Sequence, residues 1–368
     1  GLRSPGEIRR GVCAAGHKGM YHAAWGGFPD AEFLTLLDPA MARLHTAQGG
    51  AHAYPVGELA GRLTADWASQ LGLPVGLPLS VGVLDAHMGA LGAGAGGGRL
   101  VKIIGTSTCD ILTAPGGSAL PDIPGVSGIV PGSVVPGAYG IEAGQSAVGD
   151  IFNWYVRYQG DDADKAFADM TREAAELRPG ESGLLALDWH NGNRCVLVDA
   201  RLTGLLLGLT LQTSRSAVFR AWMEATIFGA RAILTRLAEY GVEVSEIVAC
   251  GGIAEKNALF MQLHADILQR PIKLAGSSQT CALGSCLAAS VVAGAAAGGH
   301  ASIPEAQAAM VRCQDKGYQP NPANAAVYDE LYALYQQLHD SFGRPNHAAV
   351  NYPVMKQLLA IRQRVVGH

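Results

Sequence analysis

Four stretches of this sequence carry residue types able to handle a phosphate or a polyol. Gly105-Thr106-Ser107-Thr108 follows the apolar run 100–104. A strand ending in glycine and hydroxyl residues offers backbone N–H groups and Oγ atoms to an anion; the same pattern also makes an ordinary turn. Gly251-Gly252-Ile253-Ala254-Glu255-Lys256-Asn257 leads from an apolar run into a helix start, where paired glycines let a flat ligand approach the backbone or simply make a tight connection. Asp85, after the apolar run 81–84, is a charge whose burial would cost several kcal/mol if unpaired, so it is read as a helix N-cap or as a general base. Lys18 and Glu142 are charges set amid small residues, in a solvated loop or a polar pocket. His17, His22 and His87 could suggest a metal. They lack close helical spacing and a cysteine partner, so they are read as structural or pocket histidines and no metal ligand is assigned.

Positioning such groups takes strands that end at them and helices that start after them. Apolar runs of strand length occur at 100–104, 109–112, 184–187, 195–198, 205–209 and 247–250. Helical periodicity runs from 217 to 240, with Phe219, Trp222, Met223, Ile227, Ile233, Leu234 and Leu237 on one stripe, and again over 257–268. Strands alternating with helices predict an α/β fold. The segment 325–342 reads as an amphipathic helix docked on the surface. Gly92, Gly94 and Gly97 match G-x-G-x-x-G, but a helix-like segment precedes them and a strand follows, the reverse of a dinucleotide site. They are read as a loop. The uncharged stretch around 280–299 is membrane-span length, yet built of Ala, Gly and Ser; it is read as a buried helix over 281–293 stopped by Gly294.

Composition narrows the function further. The 368 residues suggest about two domains, at roughly 150 residues each. Charged residues are only 16%, which excludes a disordered chain, and 27 basic against 31 acidic residues give a net charge of −4 with no basic run, which disfavours nucleic acid. Seven cysteines with scattered spacing and no C-x-x-C suggest neither disulfides nor zinc, and a cytoplasmic location is expected. No P-loop, nucleophile elbow or protein-kinase signature occurs.

Taken in order, Ala14-Ala-Gly-His-Lys-Gly-Met-Tyr-His22, Trp25-Gly-Gly-Phe-Pro29, Asp85-Ala-His-Met-Gly89, Gly105-Thr-Ser-Thr-Cys109, Glu142-Ala-Gly-Gln-Ser146, Asp188-Trp-His-Asn-Gly-Asn-Arg194, the 251–257 segment and Ser277-Ser-Gln-Thr-Cys-Ala-Leu-Gly284 resemble the FGGY carbohydrate kinases. The resemblance spans almost the whole chain. It implies an actin-like, ribonuclease-H-like fold of two domains, with ATP and sugar in the cleft between them and Mg²⁺ accompanying the nucleotide. Residues 1–95 would be the C-terminal part of the sugar-binding N-terminal domain. Residues 96–368 would be the nucleotide-binding C-terminal domain with a helical tail.

By the same resemblance Asp85 would be the catalytic base and, with Lys18 and Glu142, would contact sugar. Gly105 and Thr106 would meet phosphate. Gly149 and Asn153, four apart on a helix, and Gly251, Gly252, Lys256 and Asn257 would meet the nucleotide, although the family varies at Lys256. The His-Lys, Trp-Gly-Gly and Ser-Ser-Gln-Thr-Cys-Ala segments point to members acting on L-ribulose at its 5-hydroxyl. A sibling kinase for D-ribulose, xylulose or another polyol, or a non-catalytic sugar- or nucleotide-binding fragment, stays open. So does a homodimer; no membrane partner is expected. The Asp-x-Gly-Thr hairpin with which these kinases grip phosphate and Mg²⁺ does not occur in the sequence, which opens on Gly1. The chain is therefore expected to be part of a longer protein, and by itself to bind ATP or ADP weakly without turnover.

Overall fold

The computed structural model describes residues 7–43, 52–116, 120–159, 163–345, 347 and 351–367. The chain begins with helices α1 (Val12–Lys18) and α2 (Ala31–Leu37), then strand β1 (Leu59–Arg62), helix α3 (Ala65–Leu71) and strand β2 (Pro78–Ser80), which pairs antiparallel with β1. Residues 81–84 run without regular structure into α4 (Asp85–Gly92), so Asp85 follows an extended lead and not a strand. The Gly-rich loop after α4 then turns the chain into β3 (Arg99–Ile104) and β4 (Thr108–Pro115), followed by β5 (Gly128–Pro131) and β6 (Ala138–Ala143).

Helices α5 (Gly149–Tyr158) and α6 (Ala163–Glu176) come next, then the small antiparallel pair β7 (Leu185–Leu187) and β8 (Leu205–Leu207), and the long α7 (Arg215–Glu239). Strand β9 (Glu246–Cys250) leads through α8 (Gly252–Lys256) into α9 (Ala258–Leu268) and β10 (Ile272–Ala275). The chain closes with α10 (Thr280–Ala293), α11 (Ile303–Met310), β11 (Cys313–Tyr318), α12 (Pro322–Gly343) and α13 (Val354–Val366). One seven-stranded sheet, in the order β11-β10-β9-β3-β4-β6-β5, organises all of this. Strands β3, β9 and β10 are mutually parallel, and β4, β6, β5 and β11 join antiparallel.

The sheet is covered on both faces, which is why β9 reads as an unbroken apolar run and β3 as one interrupted only by Lys102. Leu100, Ile104, Ile247 and Ala249 point into a core shared with α5, α7, α9 and α12, while Val101, Val248 and Cys250 point into a second core under α4, α10 and α11. Between the first pair of strands a charge pair is sealed in. Lys102 Nζ donates to both Asp110 oxygens, at 2.8 and 2.9 Å, directly across the β3–β4 register, with both side chains 2% exposed.

Two elements lie deeper than their patterns imply. The α7 stripe becomes a helix buried on every side from Ser216 to Ala230; Arg220 pairs with Glu224 at 2.8 Å and donates to Tyr328 Oη at 2.9 Å. Helix α12 is part of the main core and not a surface addition, with Tyr328 and Tyr335 fully buried. The run 195–198 is no strand: Cys195 is buried, but Val198 is exposed and left-handed at φ 54°. Helix α10 ends at Gly294 as the sequence suggests, but it is not a buried helix. Only Thr280, Gly284, Leu287 and Ala288 are buried, and the opposite side, with Cys281, Ala282 and Ser285, is exposed. No helix among the described residues is long and apolar enough to cross a membrane.

Candidate active site

Strand β6 places Glu142 opposite Gly128 of β5. A Cβ on Gly128 would stand 2.6 Å from His17 Nδ1, so the missing side chain is what lets the imidazole at the end of α1 lie against the sheet. Three cationic or imidazole nitrogens then surround one carboxylate. His17 Nδ1 and His87 Nε2 face Glu142 Oε2 at 3.5 and 3.7 Å, and Lys18 Nζ faces Oε1 at 3.7 Å. Glu142 and the two imidazoles are buried; Lys18 is 61% exposed, so the cluster opens to solvent on the Lys18 side.

Asp85 joins this group through its helix, since His87 lies in the same first turn of α4. Leu84 holds the N-cap position. Asp85 is the first helical residue, exposed, with Oδ1 accepting the Ala86 N–H at 2.8 Å. It therefore satisfies one free N–H of the turn from inside the helix while its carboxylate stays within reach of a ligand. Helix α4 is held by close packing on α10. A Cβ on Gly92 would stand 2.0 Å from Thr280 O, one on Gly284 1.9 Å from Met88 O, and Cys281 Sγ donates to Asp85 O at 3.3 Å. Thr280 also reaches the Cys250 thiol at the end of β9. Asp85 is thus carried to the carboxyl end of the parallel strands.

That end holds the second constellation. Strands β3 and β9 run side by side with Ile103 opposite Cys250, and each then breaks into glycine. Gly251 has φ 98°, and a Cβ there would stand 2.4 Å from Ile104 O. Gly149 donates its N–H to Gly105 O at 3.1 Å, with no room for a Cβ between that oxygen and Ile253; Val148 and Asp150 donate to Thr106 O at 2.8 and 3.1 Å. The result is a floor of backbone, with exposed Thr106, at the crevice where parallel α/β sheets take ligands. Gly252, Asn153 and Lys256 are exposed around it. Asn257 is different: it is buried and caps α9, accepting the Phe260 N–H at 2.9 Å.

The floor predicts a contrast between neighbouring glycines. Gly251→Ala should cost about 1–3 kcal/mol, since it forces a left-handed alanine against a carbonyl. Gly252→Ala, in open space at a helix start, should change stability by less than about 1 kcal/mol. Urea unfolding of both variants checks this, and equal losses would contradict the packing described.

The imidazoles add a pH dependence. Burial drives His87 down to about 3, reinforced by the nearby Lys18 charge, and burial likewise drives His264 down to about 3. Both lie below the unfolded value of about 6.5, so their contribution is complete above pH 6.5 and is lost as pH falls toward 3. Asp188 works the other way. Burial raises it to about 6, so its contribution grows as pH falls from 6 to 4. Burial lowers His17, His190 and His339 as well, so the histidines outweigh Asp188 and unfolding free energy should drop by at least about 3 kcal/mol from pH 7 to pH 5. Urea titrations at the two values test it; a flat profile would contradict neutral buried histidines.

Residues 100–293 match the model of the C-terminal domain of the FGGY family of carbohydrate kinases. The chain belongs to this family. Among curated FGGY relatives it is 44% identical over 367 residues to a ribulokinase of Halalkalibacterium halodurans, covering 97% of this chain and 64% of the relative. It is 43% identical to a ribulokinase of Shouchella clausii, over 98% of the chain and 65% of that protein. The chain thus spans just under two thirds of the length of these relatives. Among solved structures, the xylulose kinase of Rhodospirillum rubrum superposes with a TM-score of 0.69 at 30% identity, over 83% of this chain and 60% of that one. That of Bifidobacterium adolescentis gives 0.67 at 19% identity, over 90% and 63%. The fold is therefore the actin-like one that the motifs imply, with β6-β4-β3-β9-β10 at its centre.

Of the residues singled out from the sequence, Lys18 and Glu142 meet directly, Asp85 stands on the helix that touches them, and Gly105, Thr106, Gly149 and Gly251 close around one turn. His17 and His87 belong to the first group. Their positions, one before Lys18 and two after Asp85, were the signal that could have placed them there.

Proposed function

We propose that this sequence supplies the sugar-reading wall and the nucleotide floor of an ATP-dependent kinase that phosphorylates L-ribulose at its 5-hydroxyl. The observation that supports this most is the meeting of Lys18, Glu142 and the Asp85 helix beside the glycine floor at the ends of β3 and β9. The kinship with ribulokinases at 43–44% identity favours L-ribulose over other polyols. In this reading residues 1–95 belong to the sugar-binding domain and 96–368 to the nucleotide-binding domain. The seven cysteines are free thiols, in keeping with the cytoplasm.

Lys18 donates to one sugar hydroxyl and Glu142 accepts from its neighbour, fixing the pentose with its terminal hydroxyl toward Asp85. Asp85 takes the hydroxyl proton as the oxygen attacks the γ-phosphorus. The new O–P bond forms as the bond to the β-phosphate oxygen breaks, and ADP leaves. Such a transfer needs positioning and charge stabilisation more than strong base assistance. Because Gly149 and Gly251 carry no Cβ, their loops close against Gly105 O and Ile104 O, and the backbone floor so formed, with exposed Thr106, receives the phosphates. Mg²⁺ wants carboxylate and water oxygens. The Gly105–Ser107 turn offers only hydroxyl and backbone groups, which do not make such a site.

The test is a coupled ADP-release assay against a sugar panel. It uses a fusion in which the portion of the H. halodurans ribulokinase bearing the Asp-x-Gly-Thr hairpin precedes this sequence. L-Ribulose should give the highest kcat/KM. Lys18→Ala and Glu142→Ala should each raise KM for L-ribulose at least about 10-fold, because unpaired polar groups remain in the site, and leave KM for ATP within about twofold. Loss of ATP affinity alone would refute the sugar-side assignment.

A further inference from the structure

Buried beside the sugar wall are three groups with metal-ligand chemistry. One donor atom from each of His17, His87 and Glu142 lies within 4.8 Å of the others. His17 Nδ1 and His87 Nε2 both face Glu142 Oε2, at 3.5 and 3.7 Å, which is too long for a hydrogen bond. It is close to the roughly 3.3 Å between neighbouring ligands at about 2.0 Å from a tetrahedral zinc. Both imidazole side chains are 1% exposed, and neither of these nitrogens has a hydrogen-bond partner among the described residues. An orphaned buried nitrogen is costly; two aimed at one carboxylate oxygen define a gap that a cation fills.

The surroundings match such a site. His17 Nε2 meets the Oγ of buried Ser133 at 3.1 Å, the kind of partner that fixes the tautomer and tilt of a metal-bound imidazole. Burial keeps both rings in the neutral, ligating form. Lys18, the nearby positive charge, faces the other oxygen, Oε1, from a side chain that is 61% exposed. His22, by contrast, accepts the Ala24 N–H in a separate turn.

We propose that His17 Nδ1, His87 Nε2 and Glu142 Oε2 form a site for one divalent transition-metal ion of the zinc type, with a fourth position open to water. Two imidazoles and one carboxylate select Zn²⁺ or Co²⁺ over Mg²⁺, which demands oxygen ligands. This binding does not depend on the kinase reading.

The untagged 368-residue chain is titrated with Zn²⁺ by calorimetry and with Co²⁺ by visible absorption, with Mg²⁺ present in millimolar excess. One ion per chain is expected. His87→Ala and Glu142→Gln should abolish binding, Ser133→Ala should weaken it about 10- to 100-fold, and His22→Ala should leave it unchanged. X-ray absorption of the zinc-loaded wild-type chain needs no variant to fold and should count two imidazole nitrogens and one carboxylate oxygen. The proposal is overturned if no stoichiometric ion binds, if binding survives both ligand substitutions, if Mg²⁺ displaces the ion, or if the shell lacks two imidazoles.

Discussion

Asp85→Asn, placed in the fusion that restores the Asp-x-Gly-Thr hairpin, should lower kcat for L-ribulose by about 10²–10⁴-fold, the range that positioned proton transfer contributes. Nucleotide affinity should stay within about twofold, because Asp85 stands on α4 and the floor proposed for the nucleotide is backbone from the β3, α5 and β9 junctions. The substitution is nearly isosteric and keeps an oxygen for the Ala86 N–H, so the helix start is preserved. Stopped assays for kcat with calorimetric ADP titrations separate the two quantities. Near-normal turnover would make Asp85 a helix-start residue and remove it from the chemistry.

The second large effect is on the fold beneath the floor. Lys102→Met should destabilise the chain by about 3–5 kcal/mol, since it leaves the Asp110 carboxylate buried and unpaired between β3 and β4. The double variant Lys102→Met/Asp110→Leu should recover most of that loss, because replacing both partners by apolar groups of similar volume is often neutral. Urea unfolding of the two single variants and the double one forms the cycle. A double variant as unstable as Lys102→Met alone would mean that the pair contributes through geometry that apolar packing does not replace. Strand β3 ends in Gly105, so the single variant should also loosen the nucleotide floor.

How much of this was legible in the sequence depended on how local each cause was. Strands β3 and β9 are buried on both faces, so they appear as apolar runs, broken in β3 only by Lys102, and each ends directly in a glycine. The Gly294 stop of α10 and the inverted context of the Gly92–Gly98 loop were equally local. Strands β5 and β6 were not legible. Gly128, Pro131 and Gly140 dilute their pattern, and their pairing is set by neighbours, although they carry Glu142 to its place. The run 195–198 has strand composition but no partner strand, and it docks through buried Cys195 with Val196 and Leu197 packed beside it, while Val198 is exposed. Helix α12 showed its apolar stripe, yet its depth comes from Tyr328 and Tyr335 reaching Glu224 and Asp188 on distant elements. The convergence of His17, His87 and Glu142 is of the same kind, brought about by packing of α1 on β5 and of α4 on β3 and β4, with closeness to Lys18 and Asp85 in the chain as its one local sign.

The most direct measurement of the central claim is the ³¹P NMR spectrum of the fusion incubated with ATP and L-ribulose. A single new phosphomonoester resonance is expected, coupled to the two C5 protons of the pentose, rising in step with ADP and absent with Asp85→Asn. Inorganic phosphate without a sugar ester, a phosphate on another carbon, or the same product at undiminished rate from the Asp85→Asn protein would contradict it.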